Sequence, residues 1–201
     1  MAERRLLLAT RNVKKLEEMR RILAPKVAVD VLGLDDVEQF DEIPETGATF
    51  AENAVLKAVD AAKHTGLITV ADDSGLAVEA LNGMPGVLSA RWAGKAKDDT
   101  ANLNLVLEQL TDVPDERLGA SFICAAALVT PTGTRLVREG RMPGRLIREP
   151  RGQNGFGYDP IFVPSGYDLT SAEIESAEKD QISHRGKALH ALFPYIVESL
   201  T

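Results

Sequence analysis

The chain predicts a mixed α/β fold, and three observations carry that expectation. Short apolar runs alternate with amphipathic stretches early in the sequence, and a later pair of apolar runs flanks a tight polar turn. Of its 201 residues, 44% are hydrophobic, with no repeat, low-complexity tract or linker between them. That content suits one sizeable domain over residues 1–201, or two closely joined lobes.

Leu6–Thr10 reads as a buried strand. A helix follows with Leu16, Met19, Ile22 and Leu23 on one face, and it stops before Pro25. Val27–Leu32 alternates and predicts a second strand, while Asp35–Gly47 is acidic and irregular. A long helix is expected from Thr49 to Lys63, ending near Gly66. Leu67–Ala71 predicts a third strand, stopped by Asp72-Asp73-Ser74-Gly75. A loop-rich stretch with Gly83, Pro85, Gly86 and Gly94 leads to a helix near Asp98–Leu110. Ala120–Val129 and Arg135–Arg141 flank Pro131-Thr132-Gly133 and predict a long hairpin. Pro143–Pro150, a glycine-rich loop and Asp159–Val163 come next, then a short helix near Thr170–Ala177 and a final helix to Leu200. Strand–helix alternation followed by a hairpin implies a mixed sheet.

The net charge of −7 argues against a broad nucleic-acid or anionic-membrane surface, which needs a basic face. No run approaches the ~18 apolar residues of a membrane span, and Leu6–Ala9 is too short for a signal-peptide core. The single cysteine, Cys124, lies in the run Phe122–Val129 and reads as a buried strand thiol with no internal disulfide partner. A cytoplasmic protein is expected.

Two helices begin with positive charge: Asn12-Val13-Lys14-Lys15, with Asn12 as N-cap, and Ser183-His184-Arg185-Gly186-Lys187, with Ser183 as cap. A helix N-terminus carries about +0.5 of an elementary charge, so cations there are unfavourable. An anion reverses the sign, because N–H groups, dipole and side chains then converge on it. Solvated surface cations are the alternative.

Asp72-Asp73-Ser74-Gly75 lies at the expected carboxyl end of a strand, where open α/β sheets place ligands. Adjacent carboxylates point to opposite sides if the strand continues, so one of them would face the cleft. Such hard oxygen donors suit Mg²⁺, with Glu45 of Ile43-Pro44-Glu45-Thr46-Gly47 as a candidate second ligand. The same four residues also have the composition of a plain turn. Arg151–Pro160 sets Phe156 between Gly155 and Gly157, where the backbone can approach a ligand and the ring can stack on a base. There is no Gly-x-x-x-x-Gly-Lys-Ser/Thr loop, no Gly-x-Gly-x-x-Gly and no His/Cys cluster of zinc type.

Five segments together resemble the non-canonical purine nucleoside triphosphate pyrophosphatases, also called the inosine or xanthosine triphosphate pyrophosphatase family. They are Thr10-x-Asn12-x-x-Lys15, Glu45–Ala54, Ala71–Leu76, Phe156–Pro160 and Ser183–Gly186, in the family's order and spacing from residue 6 to about 192. Arg11 stands where many members have glycine.

The resemblance implies a mixed α/β fold of two lobes around a long substrate cleft, usually as a homodimer. It implies Mg²⁺-dependent hydrolysis of ITP, dITP or XTP to the monophosphate and pyrophosphate. Carried over by position, Thr10, Arg11, Asn12, Val13, Lys14 and Lys15 would hold phosphates, with Lys15 the principal cation. Glu45 and Asp73 would hold Mg²⁺, and Asp73 would also be the general base. Ser74 would touch the nucleotide. Phe156, Gly157, Tyr158 and Asp159 would pack on base and sugar, and Lys179, His184 and Arg185 would reach base or phosphates. The alternatives are a catalytically silent purine-nucleotide-binding protein and a pyrophosphatase for other modified nucleotides. No nucleic-acid or membrane partner is expected.

Overall fold

A computed structural model describes residues 4–23, 29–41 and 43–200. The expected helix stop at Pro25 and the start of the second strand at Val27 lie outside the described residues. Six strands form one sheet: β1 (Arg5–Leu8), β2 (Asp30–Leu32), β3 (Ile68–Val78), β4 (Gly119–Val129), β5 (Arg135–Leu146) and β6 (Phe162–Pro164). Their order is β2-β1-β3-β4-β5-β6. β1 pairs parallel with both β2 and β3, whereas β5 and β6 are antiparallel, so the sheet is mixed as expected. The helices are α1 (Val13–Leu23), α2 (Phe50–Thr65), α3 (Asp99–Gln109), α4 (Ser176–Ile182) and α5 (His184–Leu200).

By its contacts the chain divides into two compact units. The first holds the described residues up to Asp73, Cys124–Gly140 and those from Arg185 onward. Alternation along its strands gives it two apolar layers. Leu6, Leu8, Val70, Cys124, Ala126 and Leu128 pack with Met19, Ile22 and Leu23 of α1 and with Ala188, Leu189 and Leu192 of α5. Leu7, Ala71, Ala125 and Ala127 on the opposite face pack with Ala54, Ala58, Ala61 and Ala62 of α2.

Local signals set both leading helices. Asn12 caps α1: its Oδ1 accepts from Lys15 N at 3.2 Å and its carbonyl from Leu16 N at 2.9 Å. Thr49 and Glu52 form a reciprocal capping box at the start of α2, and Gly66 ends it in the left-handed region at φ +67°. The hairpin turn closes through Thr130 N–H to Thr134 O at 3.0 Å and Gly133 N–H to Thr130 O at 2.9 Å.

The second unit comprises Ser74–Ile123 and Arg141–His184. Its core joins Leu76, Val78, Phe122, Met142, Leu146 and Phe162 to Leu103 and Val106 of α3 and to Leu110, the residue that caps its end. Asp98 caps α3 by accepting from Ala101 N at 2.8 Å.

Three expectations are corrected. β3 does not stop at Ala71 but runs through Asp72-Asp73-Ser74-Gly75 to Val78. Turn composition loses there because each acid finds cations beside the strand. A Cβ at Gly75 would also lie only 2.3 Å from Ser89 Oγ and 2.5 Å from Gly86 O, so glycine serves close approach, not reversal. The second hairpin strand continues past Arg141 to Leu146. The short helix falls at Ser176–Ile182, not Thr170–Ala177. Thr170 instead anchors an isolated turn, its N–H bonded to Glu173 Oε2 and its hydroxyl to Arg151 O, both at 2.8 Å. Extended backbone at Glu175 (ψ 143°) separates that turn from α4.

Candidate active site

Because β3 continues, Asp72 and Asp73 point to opposite faces of the first unit. Each meets the helices on its own side. The pair therefore sits within a strand, not at its carboxyl end as expected.

Asp73 faces α2. Asn53 and Lys57, four residues apart on that helix, share one side of it. Lys57 Nζ lies 3.1 Å from Asp73 Oδ1, and Asn53 Nδ2 donates to Asp73 Oδ2 at 3.2 Å. Glu45 joins through the same ammonium, its Oε1 2.8 Å from Lys57 Nζ. Asn53 Oδ1 accepts from Gly47 N at 2.7 Å, and Glu52 Oε2 accepts from Ala48 N at 2.6 Å. These bonds fasten the segment after Glu45 to the start of α2. A Cβ at Gly47 would sit 2.7 Å from Asn53 Oδ1, so the chain passes close only as glycine.

Burial pushes the Asp73 carboxyl above its ordinary range; Lys57 opposes this and Glu45 adds to it. Burial pulls Lys57 down, but Asp73, Asp72 and Glu45 together leave it raised. Asp73 is thus a carboxylate of increased basicity beside a firmly charged ammonium, which suits proton acceptance.

Asp72 faces α1 and α5. Its Oδ2 accepts from Lys15 Nζ at 2.9 Å and from Arg185 Nε at 3.2 Å. Arg185 is 2% exposed, and its Nη1 donates to Glu18 Oε2. Burial alone would raise Asp72, but Lys15 and Arg185 hold it well below the ordinary carboxylate range. Burial pushes the neighbouring Cys124 thiol up, consistent with an inert core cysteine. One cation from each helix start, Lys15 and Arg185, therefore does have an anion, and it is a side chain of this protein.

The remaining residues expected to hold phosphates also lie in the first unit. Thr10 Oγ1 accepts from Asn12 N at 3.1 Å, and Arg11 Nη1 donates to Asp35 Oδ1 at 2.9 Å and Gln39 Oε1 at 3.1 Å. Val13 and Lys14 are exposed. A cavity of about 440 Å³ lined by Arg11, Gln39, Phe40 and Asp41 includes one expected site residue, Arg11, and none of the acids above.

The second unit holds the other cluster. Ser74 is half-buried. Asp159, 4% exposed, accepts from Phe156 N at 2.8 Å and pairs with Lys179 Nζ. Gly155 at φ +74° leaves room for that pair, since a Cβ would lie 2.0 Å from Asp159 Oδ2 and 2.8 Å from Lys179 Nζ. Gly157 N donates to Asp99 Oδ2 at 2.9 Å, and Tyr158 Oη donates to Ser89 O at 2.8 Å. His184 stacks on Phe122 with ring centroids 4.9 Å apart.

The structure thus brings Glu45 to Asp73, Lys15 to Arg185, and Phe156 to Asp159 and Lys179. Sequence reasoning gave no role to Lys57, Glu18 or Asp99, and Asn53 entered only as part of a motif. The signal for Lys57 and Asn53 was a polar pair at helical spacing amid the alanines of α2. For Glu18 it was an acid among Met19, Ile22 and Leu23 on the apolar side of α1, with Lys15 three residues earlier.

The model of the Ham1 family matches residues 6–195. The chain belongs to the Ham1 family. Among its Ham1 relatives is the dITP/XTP pyrophosphatase of Nocardia farcinica, 60% identical over 196 residues, covering 96% of this chain and 95% of that protein. The crystal structure of the Mycobacterium abscessus nucleoside-triphosphatase, or dITP/XTP pyrophosphatase, has 58% identity and a TM-score of 0.77, covering 94% of this chain and 99% of that one. A HAM1 protein from Coxiella burnetii has 43% identity and a TM-score of 0.87, covering 96% and 98%. The mixed α/β architecture is therefore that of the Ham1 proteins.

Proposed function

We propose that this protein hydrolyses the purine triphosphates ITP, dITP and XTP to the monophosphate and pyrophosphate, removing them from the nucleotide pool. The observation that carries the reading is the convergence of Glu45 and Asp73 on Lys57, with Asp73 raised in basicity. The names of the high-identity relatives support the substrate class.

In the proposed reaction a water oxygen attacks the α-phosphorus, and the bond from that phosphorus to the α–β bridging oxygen breaks. Pyrophosphate leaves with the bond electrons, and the water proton passes to Asp73. Lys57 and Asn53 hold the two Asp73 oxygens, so the base is oriented before substrate arrives. Lys15 and the Thr10–Asn12 turn are assigned to the phosphates, where fixed positive charge is most useful.

The acids also fit a hard divalent cation. Two carboxylate oxygens converge on the Lys57 ammonium at 2.8 and 3.1 Å, so a cation already stands between them. Mg²⁺ is commonly held by one or two carboxylates with several waters. Glu45 and Asp73 are its proposed ligands, and when bound it would supply charge stabilisation at the phosphates.

Ser74 and the Phe156–Asp159 segment are proposed to contact the nucleoside. Lys179, His184 and Arg185 enter by motif match, and each already has a partner within its unit: Asp159, Phe122, and Asp72 with Glu18 respectively. A cytoplasmic homodimer is part of the proposal. Among the described residues no helix is long and apolar enough to cross a membrane.

The test is incubation of the protein with ITP, dITP, XTP, GTP and ATP, with and without Mg²⁺, followed by product identification. Monophosphate and pyrophosphate from the first three support the reading. Binding without turnover would identify a silent nucleotide-binding protein instead.

A further inference from the structure

Asp72 has no part in the proposed reaction, yet it is one of the most deeply buried charges of the first unit. Its side chain is 1% exposed and meets two cations at one oxygen, Lys15 at 2.9 Å and Arg185 at 3.2 Å. The two cations differ in what they can do next. Lys15 is 16% exposed, with a rotatable ammonium on a flexible stem, whereas Arg185 is 2% exposed and its planar fork also engages Glu18. Lys15, Arg185, Asp72 and Glu18 together sum to zero formal charge.

We propose that Asp72 is a positioning residue that holds Lys15 in readiness and competes with the substrate phosphates for it, while Arg185, fixed by Glu18, keeps Asp72 neutralised once Lys15 turns away. The proposal rests on the reading of Lys15 as the phosphate-binding cation. A buried carboxylate left with no cation is strongly unfavourable, so Lys15 can leave only because a second cation stays. Arg185 fulfils that need because it is buried with both carboxylates. A lysine held this way keeps its ammonium pointed before substrate arrives, and gives it up to a more highly charged anion.

The sign of one binding change tests this. Inorganic tripolyphosphate is titrated calorimetrically into metal-free protein at low ionic strength, using the parent, Asp72→Asn, Lys15→Ala and the double variant. Asp72→Asn removes the competitor and leaves Arg185 on Glu18, so affinity should rise at least ~5-fold, the scale of a charge-assisted hydrogen bond. The double variant should fall back to the level of Lys15→Ala. Unchanged or weaker binding by Asp72→Asn overturns the proposal, as does a gain that persists without Lys15. Should Asp72→Asn fail to fold, Glu18→Gln serves. Arg185 then bonds Asp72 more fully, its hold on Lys15 weakens, and affinity should again rise; a fall overturns the proposal. Equal affinity of the parent and Lys15→Ala would defeat the phosphate reading of Lys15 itself, a failure distinct from absence of ITP turnover in the parent.

Discussion

Asn53 and Asp73 are joined by a buried hydrogen bond of 3.2 Å, and the same amide accepts from Gly47 N at 2.7 Å. One side chain thus ties the Glu45 segment to the strand that carries the proposed base. Replacing Asn53 with Ala removes both bonds and leaves Asp73 buried with one donor fewer. The expected cost is about 1–3 kcal/mol of stability, since a hydrogen bond to a buried carboxylate is lost. Turnover should fall more steeply than binding of tripolyphosphate, because Lys15 is untouched. Denaturant unfolding with steady-state kinetics checks both. Unchanged kcat would show that Asn53 only supports the fold.

Lys15→Ala separates the helix-dipole view of this residue from the ion-pair view. As a cation in the first turn of α1 it should be slightly unfavourable, which predicts equal or higher stability on removal. Its 2.9 Å contact with buried Asp72 predicts the opposite and dominates, because Asp72 then loses one of the cations that hold it. A loss of about 1–2 kcal/mol is expected, with a strong fall in kcat/KM for ITP. A more stable variant would return Lys15 to the solvated class.

Asp72 and Asp73 should respond to acid with opposite signs. Asp72 titrates lower in the folded protein than in the unfolded chain, so its stabilisation is present above the ordinary carboxylate range and lost as pH falls. Asp73 titrates higher when folded, so stability is lost as pH rises from the ordinary value through the raised one. Between about pH 3 and about pH 7, urea unfolding should show Asp73→Asn gaining on the parent as pH rises and Asp72→Asn falling behind it. The same trend for both would contradict the assigned environments.

Asp99 should set the Phe156–Gly157 backbone, since its Oδ2 accepts from Gly157 N at 2.9 Å. Asp99→Ala is expected to raise KM for ITP several-fold while inhibition by tripolyphosphate stays near the parent value. Equal loss of both would show that the segment serves something other than the nucleoside.

Local chemistry was legible in the sequence, and distant neutralisation was not. Asn12 as a cap, the helix from Thr49 to the Gly66 region, Asp98 before α3 and the turn at Pro131-Thr132-Gly133 all follow from residues within a few positions of each other. The extent of β3 did not, because the cations that let two acids sit inside a strand lie far off in sequence. Lys15 is 57 residues from Asp72 and Arg185 is 113. The same distance hid the anion at the two helix starts, where the sequence offered a bound ligand or solvent as the alternatives. Lys57 was missed because a lysine in an alanine-rich helix reads as a solvated side chain until its partners on other segments are known. Glu45 and Asp73 were paired only by resemblance, and the physical link, Asn53 with Lys57, became visible in three dimensions.

Asp73→Asn should keep the fold and tripolyphosphate binding while turnover falls at least ~10²-fold, the lower range for loss of a general base. Near-parent turnover would remove Asp73 from the proton-accepting role and leave it as a ligand or an anchor for Lys57.

Hydrolysis of ITP in ¹⁸O-labelled water tests the central claim most directly. Attack at the α-phosphorus predicts the label in inosine monophosphate and unlabelled pyrophosphate. Release of orthophosphate with a diphosphate product, or label in the pyrophosphate, would contradict it.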